Sequence, residues 1–531
     1  MQTNCTYIPY SETNDFSKLV LDYLTEKEDV RSFYQHPVSL EGIKASIKER
    51  QLAPQHRKLL VEELRNQYAG IELTDIQEKN LFRLLQPGTF TVCTAHQPNI
   101  FTGHLYFVYK ILHTIKLCQT LKSTLNAYDF VPVFYMGSED ADLEELGHIN
   151  LNGEKLEWKT SQIGSVGRMK VDAAFLQLID RISGQLSVQQ FGEELIDLFK
   201  SSYTIGTTIQ QATLVLVNEL FKSYGLLVLI PDNANLKRPF NSIIKRELSE
   251  QFSHPIVRKT ILEIGKKYKV QAAGRDVNLF YLVDDLRHRI QFSKGRFQVS
   301  SFEWTLHEIL SEVDEHPERF STNVILRGVF QEMILPNIAF IGGGGEIAYW
   351  LELKDVFKAC SIPFPVLVLR NSFLLIEERE KSLLEKLGIL KPEIFKTESI
   401  LAEKFIKKNT SVQLTLDKEL MELGEFYARL QKKAGHVDDT LREHILNLEK
   451  KASKSLTKLE KKFLRSEKKK FDAQLRQLSK LKQHLFPAGN LQERVENFST
   501  YYARYGAKLI DKICDASLTL EQEFCILEVK E

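Results

Sequence analysis

Short, continuously apolar runs followed by helical periodicity fill most of the first 375 residues. In "TFTVCTAHQPNIFTGHLYFVYKILHTIKL" a buried-strand run gives way to a punctuated turn, then to a helix with Leu105, Val108, Ile111, Leu112 and Ile115 on its apolar face. "FVPVFYMGSEDADLEEL" repeats the arrangement. "LFKSYGLLVLIPDNANLKRPFNSIIKREL" repeats it again, with a strand from Leu226 to Ile230 that ends at Pro231 and Asp232. Helices that separate such strands predict an α/β fold with a parallel sheet, whose ligands sit beyond the carboxyl ends of the strands. Residues 1–85 read as mostly helical, and the less regular stretches from about 150 to 200 and from about 255 to 325 read as insertions able to wall a cleft.

The pattern changes after "LVLRNSFLLIEE". Between 376 and 486 Lys, Glu, Leu and Gln dominate, and no proline occurs from Glu393 to Phe486. Ile445, Leu448, Ala452, Leu456, Leu459 and Phe463 follow at three- and four-residue steps, which predicts a long helical hairpin or coiled coil. The spacing slips before Phe471, Leu475, Leu478 and Leu485 resume it, the mark of a stutter. A helix this long cannot bury its apolar stripe alone, so a homodimer through this arm is expected.

Charge narrows the classes of partner. With 71 basic and 70 acidic side chains the chain lacks the basic excess of a nucleic-acid surface. The N-terminus has no signal-peptide pattern, and no stretch reaches about 18 uncharged apolar residues, so neither secretion nor membrane insertion is expected. Cys5, Cys93, Cys118, Cys360, Cys514 and Cys525 show no paired metal-ligand spacing and read as free thiols of a reducing cytoplasm.

The candidate chemistry sits at the predicted strand ends. His96 and His104 flank a loop that could present a helix N-terminus to a phosphate, with Gly103 allowing close backbone approach and the imidazoles donating to phosphoryl oxygens. In "GSEDADLEELGHIN" Ser138, Glu139 and Asp140 follow a strand, where the acids could hold a substrate ammonium, or serve only as first-turn acids of a helix. In "PDNANLKRPF" Asp232 could take a ribose hydroxyl while Lys237 and Arg238 neutralise phosphates or a carboxylate; a solvated loop is the alternative. "NIAFIGGGGEIAYW" puts Gly342, Gly343, Gly344 and Gly345 between an apolar run and a helix whose first turn holds Glu346. It matches neither the phosphate-loop nor the dinucleotide pattern, but suits a ligand-facing loop. No fixed protein-bound metal is expected. "KASKS" at 451–455 looks like the ATP loop of class I aminoacyl-tRNA synthetases, yet Ala452 lies on the coiled-coil stripe, which a flexible loop would interrupt.

Taken in order, "HQPNIFTGHLYFVYKI", "VPVFYMGSEDADLEELGHI", "GSVGRM", "NVILRGVFQEMILPNIAFIGGGGEIAYW" and "LFPAGNLQERVENFSTYYARYG" resemble the cysteine-adding enzyme family of bacillithiol biosynthesis, across roughly 90 to 510. The resemblance implies a Rossmann-like core with connecting-peptide insertions and a dimerising coiled-coil arm. The core would comprise 1–150, 206–255 and 326–375, the insertions 151–205 and 256–325, the arm 376–490, and the segment 491–531 would pack back on the core. The activity it implies joins cysteine to the amine of glucosaminyl-malate; because a free carboxylate lacks a leaving group, ATP or another nucleotide, as its Mg complex, would activate it. Within the first turn it favours Gln97, Thr102 and Gly103 over the two histidines. Thr102, Gly103, His104 and Lys237 would then stabilise attack on the α-phosphorus, Glu139 or Asp140 would bind the cysteine ammonium, and Arg168, Lys237 or Arg238 the malate carboxylates. The competing readings are an acyl-phosphate route, a non-catalytic coiled-coil scaffold, and a sugar-directed nucleotidyltransferase or glycosyltransferase-like enzyme.

The arm gives the first testable outcome. Sedimentation equilibrium of the full chain should return twice the chain mass; a monomer at working concentration would refute dimerisation through the arm.

Overall fold

Five apolar runs form the central sheet: β1 (Thr89–His96), β2 (Asp129–Met136), β3 (Leu227–Leu229), β4 (Asn337–Gly342) and β5 (Val366–Leu369). All pair in parallel, in the order β5-β4-β1-β2-β3. Every residue of β3, β4 and β5 is buried, which is why these strands read as unbroken apolar runs instead of alternating ones. β3 is shorter than the run Leu226–Ile230 because the Ile230 N–H goes to Gln67 Oε1 and Pro231 has none to give.

The structure, a computed structural model, describes residues 2–283, 286–410, 414–434, 436–438 and 440–530. The chain divides into two units, Met1–Leu375 with Asn490–Glu531, and Ile376–Gly489. No helix among the described residues is long and apolar enough to cross a membrane.

In the first unit, helix α1 (Leu105–Thr124) follows β1 and is buried on nearly every side, Lys110 and His113 included. His113 Nε2 donates to Thr519 O at 2.7 Å and Nδ1 accepts from the Asn371 N–H at 3.0 Å. Burial lowers its pKa to about 4, so it is a neutral bracket between α1 and the C-terminal segment.

The two irregular stretches behave differently. The first folds into a hairpin (His148–Leu151 with Glu154–Glu157) and helices Ala173–Leu186 and Gly192–Ser202. Its Phe175, Phe199 and Tyr203 enclose Phe101, with ring centroids 4.8 to 5.2 Å away. It therefore braces the loop after β1 and contributes nothing to the wall of the main cavity, contrary to the expectation that both stretches wall the cleft. The second stretch forms two small antiparallel sheets, one of which does face that cavity.

The N-terminus departs from its helical reading. Gln2–Pro9 is a strand that pairs antiparallel with Glu523–Lys530 over eight residues, and Phe373–Glu377 completes the sheet. That pairing closes the two ends of the chain together, a contact no local pattern announces.

The second unit holds helices Asp417–Ala434 and Thr440–Lys468 packed on one another, with Gln431 Nε2 donating to Glu449 Oε2 at 3.1 Å. The expected stutter is the 3-10 turn Lys469–Phe471, after which Asp472–Leu485 resumes as helix. "KASKS" lies inside the uninterrupted helix Thr440–Lys468, so it is no loop. Leu448, Leu459 and Phe463 of the predicted stripe remain exposed in the single chain.

Arg370, directly after β5, ties the first unit together. Its guanidinium pairs with Glu493 at 2.7 Å, and the two side chains are 5% and 0% exposed. Glu493 also accepts from the Phe373 N–H at 3.2 Å, and the Arg370 carbonyl accepts from Tyr10 Oη at 3.0 Å. Removing one partner of such a pair leaves the other charge buried without compensation, a cost of roughly 3–5 kcal/mol. Glu493→Ala should therefore lower unfolding stability by about that amount, measured by chemical denaturation; a loss below about 1 kcal/mol, the scale of an exposed pair, would show that Arg370 finds solvent or another anion.

Candidate active site

In an open parallel sheet, ligands bind outside the carboxyl ends of the strands where the strand order reverses. Here β2 and β3 lie on one side of β1, β4 and β5 on the other, so the switch point falls between β1 and β4. A cavity of about 1020 Å³ opens there. Around it stand His96 and Gln97 after β1, Gly137 to Asp140 after β2, Gly343 to Glu346 after β4, and Arg370 after β5.

The loop after β1 is shaped by left-handed backbone at Phe101, Thr102 and Gly103, with φ of 49°, 66° and 61°. A Cβ at Gly103 would meet the Asn99 side chain at 2.7 Å, so glycine is required by both backbone and space. The returning C-terminal segment covers this loop. Asn497 Nδ2 donates to the Phe101 and Gly103 carbonyls, and the Leu105 N–H donates to Glu496 O at 2.9 Å. The entrance of α1 is thus covered by protein and does not present its first N–H to a phosphate, as the sequence had suggested. Thr102 is buried, and neither it nor Gly103 lines the cavity; His96, Gln97 and His104 do. Their part is to set the course of the loop.

His96 packs edge-on to Tyr106 and tilts against Phe107, with centroids 5.4 and 5.6 Å away. Burial, then the charges of Lys110, His104, Arg370 and Arg327, push its pKa well below the usual imidazole value. His104 is also lowered, chiefly by burial, although its Nδ1 lies 3.2 Å from Val495 O. With Nδ1 donating there, Nε2 is left as an acceptor. Tyr106, beneath the Arg370 guanidinium at 5.1 Å, is pushed up to about 12 by burial.

The glycine-rich turn carries an internal lock. Glu346 Oε2 accepts from the Gly343 N–H at 2.8 Å and from Lys110 Nζ at 2.5 Å, and Lys110 also donates to Ala95 O at 2.6 Å. Glu346 thus holds the turn after β4 against the end of β1. Only Gly342 is sterically compelled among the four glycines: a Cβ there would sit 2.8 Å from the Phe340 ring, whereas Gly343 and Gly344 have ordinary contacts and Gly345 open space. The last three line the cavity and Gly342 does not.

Arg327, which the sequence reading did not single out, supplies the cation. It bonds Gln331 and the Tyr349 hydroxyl, stands 5.9 Å from the Tyr135 ring centroid, and has no carboxylate within ion-pair distance among the described residues. Ser138 Oγ is fully buried on the cavity wall, with no hydrogen-bond partner among the described residues. An orphaned hydroxyl, an unneutralised guanidinium and a glycine cradle at the switch point fit the phosphates of a nucleotide. Among the described residues no group of three or more His, Cys, Asp or Glu is placed to hold a metal ion.

The remaining predicted residues come together, but mostly on each other. Arg168 grips Asp232 through Nε and Nη2, both at 2.7 Å. Lys237, 3% exposed, pairs with Glu139 and lies 3.5 Å from Asp232, and Ser321 Oγ donates to Glu139 Oε2 at 3.0 Å. Burial alone would raise the Asp232 carboxyl, but Arg168 and Lys237 outweigh it and hold it below the ordinary range. These four charges satisfy one another beneath the cavity floor; only Glu139 reaches its lining, and Arg238 is exposed outside it. The ligand roles expected of Asp232 and Lys237 therefore have no free group to perform them, and Arg168 and Arg238 do not line this cavity. Asp140 is different: 40% exposed, it accepts from Gln97 Nε2 at 3.1 Å and has Arg287 at 4.0 Å. The "GSVGRM" segment straps this turn, since Gly167 N, Ser165 Oγ and Val166 N donate in turn to the carbonyls of Ser138, Glu139 and Asp140.

Residues 1–371 match the family model described as "Bacillithiol biosynthesis BshC, N-terminal Rossmann-like domain", and residues 373–529 that of its "C-terminal coiled-coil domain". A relative from Flavobacterium psychrophilum is 38% identical over 99% of this chain and 100% of its own, and one from Flavobacterium johnsoniae is 38% identical over 100% of both. A third, from Cytophaga hutchinsonii, is 34% identical over 95% of each chain. All three carry the name "Putative cysteine ligase BshC".

The electrostatics of His96 can be measured directly. Its folded state binds a proton more weakly than the unfolded chain, so it costs stability as pH falls below about 6.5, the unfolded value, and costs none above it. Histidine-selective isotope labelling, with His96→Asn for assignment, should show the ring still neutral at pH 6; titration near the ordinary value would mean that the ring is neither buried nor faced by these cations.

Proposed function

This chain belongs to the BshC family of bacillithiol biosynthesis, and we propose that it joins L-cysteine to the amine of glucosaminyl-malate through an amide bond, using a nucleotide to activate the carboxylate. What supports the reading above all is the cavity at the switch point, where a neutral imidazole, an unneutralised guanidinium and an unobstructed glycine turn face one space.

A bound nucleotide would supply the leaving group that a free carboxylate lacks. Gly343, Gly344 and Gly345 with Arg327 would hold its phosphates, and Ser138 Oγ offers one more donor from the β2 side. Asp140, the exposed acid of its turn, suits the cysteine ammonium, while Glu139 is committed to Lys237 and Ser321. Gln97 fixes the Asp140 carboxylate through one oxygen and the Ala141 N–H through the other, so its orientation is set before substrate arrives. His96, held neutral, can take part in a hydrogen bond to the attacking amine, while the burial and cations that keep it neutral make it a weak base. Lys110 and Arg370 are engaged by Glu346 and Glu493, and contribute field more than contact.

Purified protein given cysteine, glucosaminyl-malate and Mg-ATP, with each omitted in turn, should form bacillithiol only in the complete mixture, as followed by mass spectrometry. AMP with pyrophosphate would identify attack on the α-phosphorus, ADP with phosphate an acyl-phosphate route. Arg327→Ala should lower kcat/KM by a factor of about 10² or more, as loss of a charge-assisted contact in a water-poor site does. Absence of bacillithiol from a folded, nucleotide-binding protein would remove the ligase reading.

A further inference from the structure

One wall of the cavity gathers three guanidiniums that the ligase reading has not used. Strands Leu279–Val283 and Leu286–Arg289 pair Phe280 with Arg289 and Leu282 with Arg287. Alternation therefore places Arg287, Arg289 and Phe280 on one face of this sheet. The guanidinium carbons of Arg287 and Arg289 lie over the Phe280 ring, 3.9 and 5.8 Å from its centroid. Arg275, from the loop before the first of these strands, also lines the cavity, and its charge adds to burial in lowering the Arg289 pKa.

Among the described residues, acidic neighbours act on Arg287 alone of this group. Arg287 donates to Ser321 Oγ at 3.3 Å and to Thr322 O at 3.1 Å, and its nearest carboxylate, Asp140, is 4.0 Å away. Arg275 and Arg289 have no carboxylate within ion-pair distance among the described residues. Like charges collected in a partly desolvated cavity repel, and an anion entering among them relieves the repulsion. A dicarboxylate can engage two planar forks at once, which a single carboxylate cannot.

We propose that Arg275, Arg287 and Arg289 form the subsite that receives the two carboxylates of the malate moiety of glucosaminyl-malate. The assignment rests on the ligase reading above, and it replaces Arg168, Lys237 and Arg238, which the fold engages elsewhere or leaves outside. It puts the malate on the Asp140 side of the cavity, across β1 from the glycine turn. The sugar amine is then free to point toward the end of β1.

Calorimetric titration tests it without turnover, using glucosaminyl-malate, L-malate and L-lactate as probes and Mg-ATP as the control. Wild-type protein should bind the first two and take L-lactate at least tenfold more weakly. Arg289→Ala and the exposed Arg275→Ala should each weaken both dicarboxylates at least tenfold, with Arg289→Lys between, while ATP binding and the thermal midpoint hold. Glucosaminyl-malate binding unchanged in both alanine variants would overturn the subsite and leave the ligase reading standing. Arginine-dependent binding of L-malate without any binding of glucosaminyl-malate would keep a dicarboxylate subsite and remove the ligase reading; no binding of either would overturn both.

Discussion

The buried pair of Arg370 and Glu493 is the constraint on which the site depends. Arg370 follows the last core strand and Glu493 arrives more than a hundred residues later, so the pair forms only when the C-terminal segment has come back onto the sheet. That return also places Asn497 on the loop after β1 and Glu496 on the first N–H of α1. The same guanidinium stands over Tyr106 and contributes to the positive field on His96. A single ion pair thus joins closure of the core to the protonation state of the imidazole at the end of β1. Its worth lies less in net stability, which a well-packed apolar pair could match, than in fixing one arrangement of the carboxyl ends.

Charge in the cavity is distributed with a consistent logic. Lysines and arginines that shape the backbone are neutralised: Lys110 by Glu346, Arg370 by Glu493, Lys237 by Glu139, Arg168 by Asp232. Arg327, Arg275 and Arg289, which also line the open space, have no carboxylate within ion-pair distance among the described residues. Had all been paired, the cavity would be an ordinary polar cleft. Had none been, the site would carry an electrostatic penalty with no fixed geometry to show for it. The near-neutral charge of the whole chain hides this division, because the excess is local.

What could be read in advance follows the range of the interactions involved. β1, β2 and β4 were legible because strands buried on both faces must be apolar throughout, and the arm because its stripe repeats over several turns. The strand Gln2–Pro9 was not, since its partner lies at the far end of the chain and its own burial is only intermittent. Candidate residues divided the same way. His96, Gln97, Ser138, Asp140 and Gly343 to Gly345 reach the cavity because strand ends point there by topology. Arg168, Asp232 and Lys237 also converge, yet whether a charge meets a ligand or another side chain depends on partners far along the chain. Lys110 left one clue, a lysine amid the apolar positions of α1; nothing local to Arg370 announced a partner more than a hundred residues away.

The buried network and the strap suggest why a fold would spend so many charges away from the ligand. The turn at Ser138 to Asp140 has three consecutive carbonyls pointing out of the sheet, and "GSVGRM" satisfies all three. A Cβ at Gly167 would sit 2.4 Å from the Ser138 carbonyl oxygen, so the strap can approach only as glycine. Arg168, the next residue, anchors the strap to Asp232, and Lys237 anchors Glu139 from the other side. The orphaned hydroxyl of Ser138 and the exposed carboxylate of Asp140 thereby face the cavity from a turn fixed at both edges. Binding groups on a rigid turn lose little freedom when a ligand arrives, and that saving is realised in orientation at the reacting centre. The charges that looked like ligand contacts in the sequence are what hold the contacts still.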